Sequence, residues 1–357
     1  MNEINSRDIG DILQKKRKII SEAVVDRMYA RHPELWQSYG QDGRKISLRD
    51  ADYHLSYLIE AVQLNDPSVF GKYFEWLKGL FARLNFPDFV LPTMLDSYQD
   101  VCKDLLPAAA ADLIDEHLDE ARQQIHKDEF ETASHLHEDA PLYPLAKKYL
   151  DTLLRGERQE ASRLILDAVE KGEDVKNIYL HVFQRTQHEI GRLWFLNEIS
   201  VAEEHFASAA TQLIMSQLYP YIFSTEKTGR KMVAACVADE LHEIGIRMVS
   251  DFFELEGWDS YYLGANAPIA GIREAVDKHD ADILALSVTM PFNQTQLSET
   301  IKAVRSSNNN NPLKIMIGGY AANLFPDLWR RVNADGYASN AEQAVRMAHS
   351  LISESEN

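Results

Sequence analysis

The chain has 357 residues, 45% of them apolar and 26% charged, with a formal charge of −18. The length predicts two or three domains, and the composition is ordinary for a soluble globular protein. So acidic a chain has no general attraction for phosphate backbones or anionic lipid, which argues against nucleic acid or a membrane surface as a direct partner.

The basic turn "KKRK" at 15–18 reads as a solvated helix face. Cys102 and Cys236 form no C-x-x-C pair, so neither a zinc knuckle nor a disulfide framework is predicted, and a reducing cytoplasm fits. The start, "MNEINSRDIGDILQKKRK", lacks the apolar core of a signal peptide, and no apolar run reaches the length of a membrane span. A cytoplasmic location is expected.

Residues 1–130 read as an all-helical domain, with apolar residues recurring at three- and four-residue spacing in "DILQKKRKIISEAVVDRMYA". Ser47 and Asp50 in "SLRDADYHLSYLIEAV" resemble a capping box, which predicts a helix start there. Asp66 and Pro67 predict another N-cap and first helical position. Residues 126–141, "HKDEFETASHLHEDAP", have no period and read as a solvated linker. His135 and His137 within it have no further ligand nearby, so no metal site is expected.

Residues 141–224 hold four helical segments with short joins, predicting a four-helix bundle. Ser200 and Glu203 form an S-x-x-E box that starts the fourth helix. From 229 to 357 the rhythm changes. "KMVAACV", "SYYLG", "DILALSV", "KIMIGG" and "DGYAS" alternate with helices from about 243, 268, 294 and 321 and a final helix. That alternation predicts an α/β domain with a doubly wound parallel sheet. "SSNNNNP" at 306–312 reads as a loop.

Ligands of an open parallel sheet bind outside the carboxyl ends of its strands. His242 follows the first strand, Ser287 and Thr289 end the third, and Gly318 and Gly319 end the fourth. One histidine, two small hydroxyls and a glycine pair that admits close approach thus converge on one rim. No G-x-G-x-x-G follows the first strand, and no serine sits at a nucleophile elbow.

The pattern Glu240-x-His242-x-x-Gly245, 41 residues, Ser287-x-Thr289, 28 residues, Gly318-Gly319 resembles the fingerprint of cobalamin-binding domains. The resemblance implies a flavodoxin-like fold. It makes His242 the lower cobalt ligand in place of the cofactor's own benzimidazole. The displaced nucleotide tail would run in a groove beside the serine and the glycine pair. Glu240, where many members have aspartate, would hold the second ring nitrogen and fix the tautomer.

Trp194, then nine residues, then Glu204-His205, resembles the cap motif of light-responsive cobalamin-dependent regulators. There the tryptophan shields an adenosyl group, and the acid and histidine contact it. Phe195 stands where such regulators can carry a second cobalt-ligating histidine and cannot supply one, leaving the upper position to another group such as His205, or to water. "YHLSYLIEAVQLNDPSVFGKYFEWLKGLF" resembles the helical region of photocobilins, which implies a bilin of the biliverdin type beside the cobalamin. Tyr53, His54, Tyr57, Tyr73 and Trp76 are the candidate lining, with packing in a helical dimerisation domain as the other reading. Covalent attachment would need Cys102, which nothing marks as reactive.

The expectation that follows is a non-enzymatic cytoplasmic photoreceptor that binds adenosylcobalamin. It would signal through loss of the adenosyl group and a changed homo-oligomer or an unknown downstream protein. The alternative is a corrinoid methyl shuttle that partners a methyltransferase, which shares the histidine and the bundle. A third reading is a scaffold that uses the fold for protein contact alone.

Overall fold

A computed structural model describes residues 5–127, 133–223, 225–307 and 313–353. The chain forms two compact units, Met1–Glu131 and Thr132–Asn357.

The first unit consists of α1 (Ser6–Arg31), α2 (Pro33–Leu64), α3 (Pro67–Arg83), α4 (Val90–Leu105) and α5 (Ala108–Ile125). Helix α1 packs on α2 and α4, and α3 packs on α5. Leu13, Ile20 and Val24 on α1 and Leu55, Leu58 and Val62 on α2 are fully buried at the spacing of one helix face. Asp66 caps α3 through its side chain, with Pro67 in the first turn. Ser47 does not start a helix. It lies within α2, whose break comes earlier, at Gly40, in a conformation (φ 59°, ψ −154°) open to glycine. The Ser47 hydroxyl bonds Tyr29 instead, at 3.2 Å. In "KKRK", Arg17 pairs with Asp52 at 2.5 Å and Lys16 donates to the Leu105 carbonyl, so half of that turn is engaged within the unit.

The second unit opens with helices. They are α6 (Tyr143–Leu154), α7 (Arg158–Glu170), α8 (Val175–Asn177), a π-helical turn Ile178–Phe183 running straight into α9 (Gln184–Phe195), α10 (Val201–Gln217) and the short α11 (Tyr219–Ile222). The predicted box at Ser200 and Glu203 is formed in both directions. The π turn buries Ile178, Tyr179, Val182 and Phe183.

A five-stranded parallel sheet follows in the order β2-β1-β3-β4-β5. Its elements are β1 (Lys231–Cys236), α12 (Ile244–Leu255), β2 (Asp259–Gly264), α13 (Ile269–His279), β3 (Ile283–Ser287), α14 (Gln294–Ser307), β4 (Lys314–Gly318), α15 (Tyr320–Leu324), α16 (Leu328–Arg331), β5 (Gly336–Tyr337) and α17 (Ala341–Ser353). Helices α12 and α17 pack together, as do α13 and α14. This is a doubly wound sheet whose switch point lies between β1 and β3. The fourth crossover is not the single helix predicted from 321. Pro326 disfavours helical backbone at Phe325 (φ −124°, ψ 82°) and splits it in two.

One apolar core joins the helical part to the sheet. Tyr149, Phe183 and Ile214 belong to it with Met232, Ala234 and Cys236 of β1 and Phe252 and Phe253 of α12. The central strands are buried on both faces, which is why they read as continuous apolar runs. Of the predicted linker, residues 128–132 lie outside the described residues, as do residues 308–312 of the predicted asparagine loop.

Candidate functional site

Strand register assembles the rim. Cys236 pairs with Ser287, and Ser287 with Gly318, so the carboxyl ends of β1, β3 and β4 lie side by side. The chain leaves β1 into a turn where Asp239 adopts a left-handed conformation (φ 64°). Asn266 braces that turn: its side chain accepts from the Asp239 amide at 2.8 Å, and its own amide donates to the Glu240 carbonyl at 2.8 Å.

Glu240 is the buried centre of the site, with none of its surface exposed. Its Oε1 accepts from His242 Nδ1 at 2.6 Å and from the His242 amide at 3.1 Å. Its Oε2 accepts from the amides of Thr289 (2.8 Å) and Met290 (2.7 Å) and from the Asn293 side chain (3.4 Å). Burial alone would push this carboxyl up; the donors from His242 and Met290 outweigh it and hold it below the usual range. His242 is shifted upward, chiefly by its bond to Glu240, against its own desolvation, with the charge of Glu204 adding to the effect.

The His242 side chain is 59% exposed. With Nδ1 tied to Glu240, the ring carries its proton there and presents the lone pair of Nε2 outward. Cys236 donates its thiol to the His242 carbonyl at 3.6 Å, and burial pushes that thiol well above the ordinary range. Glu243 bonds Tyr262 at 2.8 Å and the Ala265 amide at 2.9 Å, closing the other side of the loop.

Ser287 is buried, and Thr289 enters the site through its amide. Gly319 (φ 97°) packs so closely that a Cβ there would lie 2.4 Å from the Val288 carbonyl oxygen; a Cβ on Gly318 would lie 3.0 Å from that of Ala338. Gly245 sits in the first turn of α12 with open space where a Cβ would be. Leu241 is 71% exposed and Tyr320, directly after Gly319, 55%. Two large apolar side chains thus stand in solvent at the ends of strands β1 and β4.

Trp194 is half-buried at the end of α9, whereas Phe195 points into the core. Glu204 and His205, in the first turns of α10, bond each other, and Glu204 is close enough for its charge to act on His242. Arg247 on α12 bonds α10 at Gln212 and Ser216, which joins the helix that carries Glu204 to the one that begins two residues after His242. His135 is not on a free linker: its amide donates to buried Glu189 at 2.8 Å and its ring meets His188 edge-on at 5.2 Å.

In the first unit, Tyr57 and Tyr73 stack at 3.7 Å, and Trp76 and Tyr53 pack on Tyr73 at 6.0 and 6.4 Å. His54 Nδ1 meets the Tyr73 hydroxyl at 2.5 Å. The five candidates do come together, with His54, Tyr57 and Tyr73 buried against one another. Cys102 is buried, and burial pushes its thiol up to about 12, which makes it unreactive.

Among the described residues no three His, Cys, Asp or Glu side chains converge to hold a metal ion. One outward imidazole cannot chelate a bare ion, but it can complete the coordination of a metal that arrives inside a macrocycle. The exposed imidazole and the exposed Leu241 and Tyr320 fit such a group, whereas Gly318 and Gly319 make room for the protein's own backbone at Ala338 and Val288. The residues that sequence reasoning missed are Asn266, Met290 and Asn293. Two act wholly or partly through backbone amides, which leave no mark in residue type, and Asn293 stands outside the motif spacing.

Comparison with known proteins agrees with this geometry. A family model described as B12 binding domain matches residues 230–346, and a second of the same description matches residues 145–219. Dimethylamine corrinoid protein 1 of Methanosarcina acetivorans is 27% identical over 197 residues, 53% of this chain and 90% of its own. Dimethylamine corrinoid protein 3 of Methanosarcina mazei is 28% identical over 165 residues, 46% of this chain and 95% of its own. The solved monomethylamine corrinoid protein of Methanosarcina barkeri shares the fold, with a TM-score of 0.52 at 19% identity, covering 58% of this chain and 98% of that one. The names of these relatives overturn the expected photoreceptor that signals through light-driven loss of an adenosyl group, and favour the alternative, a corrinoid methyl shuttle. No helix among the described residues is long and apolar enough to cross a membrane. Residues 145–219 and 230–346 are thus similar to B12 binding domains.

Proposed function

We propose that this protein is a corrinoid carrier that shuttles methyl groups in partnership with a methyltransferase, itself a carrier rather than a catalyst. The observation that carries the reading is the outward Nε2 of His242, held in one tautomer by buried Glu240, at a place where no three metal-ligating side chains converge among the described residues. The likeness to dimethylamine corrinoid proteins supports the choice of methyl transfer.

Bound cobalamin would supply a cobalt centre able to take up and release a methyl group. His242 would hold the cobalt from below. Ser287, Gly318 and Gly319 would flank the nucleotide tail, and Gly245 would leave room at the start of α12. Thr289 would act through the amide that steadies Glu240. Trp194, Glu204 and His205 would line the upper side from α9 and α10. The aromatic set Tyr53, His54, Tyr57, Tyr73 and Trp76 is read as packing within the first unit.

The test has two stages. The apo-protein is titrated with hydroxocobalamin and followed by absorption, alongside His242→Ala. The loaded protein is then reduced and incubated with dimethylamine or monomethylamine and the matching methyltransferase, and the extracted cofactor is chromatographed. His242-dependent binding and accumulation of methylcobalamin would sustain the reading. Binding without methylation from either donor would reject methylamine-type transfer, and absence of binding would reject the cofactor itself.

A further inference from the structure

A polar chain crosses the apolar interior of the helices that precede the sheet. Tyr149 on α6 and Thr211 on α10 are fully buried, with their hydroxyls 2.9 Å apart. The Gln187 amide on α9 lies 2.9 Å from the Thr211 hydroxyl and 3.0 Å from that of Ser208. Ser208 in turn lies 3.0 Å from Glu204 Oε1. The other Glu204 oxygen meets His205 Nδ1. The chain thus runs from the core to a carboxylate in the first turn of α10, the helix that Arg247 of α12 holds through Gln212 and Ser216, and α12 begins two residues after His242.

Counting protons fixes its direction. Ser208 has a single hydroxyl proton and cannot give it both to the Gln187 oxygen and to Glu204. Turning the amide over exchanges its oxygen and nitrogen at unchanged distances. Tyr149 then donates to Thr211, Thr211 to the Gln187 oxygen, the Gln187 nitrogen to Ser208, and Ser208 to the Glu204 carboxylate. Each hydroxyl proton has one acceptor, and the chain ends on a negative charge. The reverse direction needs a protonated Glu204, and Thr211 would then donate to Tyr149, taking from that buried hydroxyl the acceptor for its own proton.

We propose that Gln187 is a positioning residue of the cofactor site: by relaying one-way hydrogen bonds from Tyr149 and Thr211 to Ser208, it fixes the Glu204 carboxylate in the first turn of α10, the helix fastened to the one that follows His242. The inference rests on the reading that cobalamin binds over His242. A carboxylate held there favours a positively charged cobalt(III) centre, and a chain of this kind is stronger than its separate links.

The test uses full-length protein and hydroxocobalamin, with Kd from absorption titration and the melting temperature of each apo-protein. Gln187→Leu keeps the volume and removes the relay. It is expected to weaken binding about tenfold while the fold is retained by circular dichroism, the melting temperature falling only as far as the lost partner of Thr211 requires. Thr211→Val should weaken binding in the same sense, and Thr211→Ser, which restores the hydroxyl, should not. The combination Gln187→Leu with Glu204→Ala should bind no worse than Glu204→Ala alone. Additive losses, wild-type affinity in Gln187→Leu, or equal weakening by the two Thr211 variants would overturn the positioning role. Failure of the wild type itself to bind would refute the cobalamin reading, and the inference with it.

Discussion

His242 Nδ1 lies 2.6 Å from Oε1 of Glu240, and the other oxygen of that buried carboxylate is fixed by the amides of Thr289 and Met290. The imidazole is therefore aimed by the end of a neighbouring strand. In Glu240→Gln, the amide oxygen must turn to the two backbone donors, which leaves the NH2 facing Nδ1. That forces the ring proton onto Nε2 and removes the lone pair a metal would use. Hydroxocobalamin affinity should fall by about 10- to 100-fold, with the fold retained by circular dichroism. Wild-type affinity in this variant would show that the tautomer does not matter.

Gly319→Ala combines a left-handed backbone position with a Cβ 2.4 Å from the Val288 carbonyl oxygen. Relief requires movement of the segment that carries Ser287 and Thr289. Urea unfolding should show a loss of about 3 kcal/mol, and cofactor affinity should fall as well. A loss under about 0.5 kcal/mol would mean that this backbone yields freely.

Asp251 on α12 accepts from the Tyr179 hydroxyl at 2.8 Å, and burial pushes its carboxyl up to about 6 despite that bond and the nearby Arg247. The native state therefore binds the Asp251 proton more tightly than the unfolded chain does. Stability from this group rises as pH falls from about 7 to about 4, and is lost above the folded pKa. Asp251→Asn should be more stable than the wild type at pH 8, by up to about 3 kcal/mol, with the advantage shrinking by pH 5. Melting temperatures of both proteins at the two pH values decide it; a constant difference would reject the assignment.

Arg247 is buried and donates to the Gln212 carbonyl, Ser216 and Tyr219. Arg247→Met leaves those acceptors open and takes from Asp251 the cation that favours its charge. Thermal or urea unfolding at pH 8 should show a loss of about 3 kcal/mol, and adding Asp251→Asn should recover part of it. Full additivity of the two changes would deny their coupling.

Much of the sheet was legible because β1, β3 and β4 are buried on both faces, so burial wrote itself into apolar runs. The rim was legible because strand ends fix where His242, Ser287 and Gly318 must fall. What escaped was of two kinds. Gly40 took the helix break that Ser47 seemed to mark, and Pro326 split a crossover; in both, one residue's backbone limits overrode the surrounding pattern. The acceptor role of Glu240 toward the Thr289 and Met290 amides was hidden because main-chain donors are the same in every sequence. The functional subtype was misread from Trp194, Glu204 and His205. Such residues shape an opening without recording which upper group it admits.

Helix α12 begins two residues after His242, and its first three turns carry Arg247 and Asp251, the groups bonded to α10, α11 and the π turn. A helix of this length is a stiff rod, and here one end holds the imidazole while the middle is fastened to the helices above. Any partner that levers those helices off the sheet must strain the loop that carries the imidazole. Cofactor load and partner affinity are then thermodynamically linked: whatever factor a docked partner imposes on cobalamin binding, cobalamin imposes on the docking of that partner.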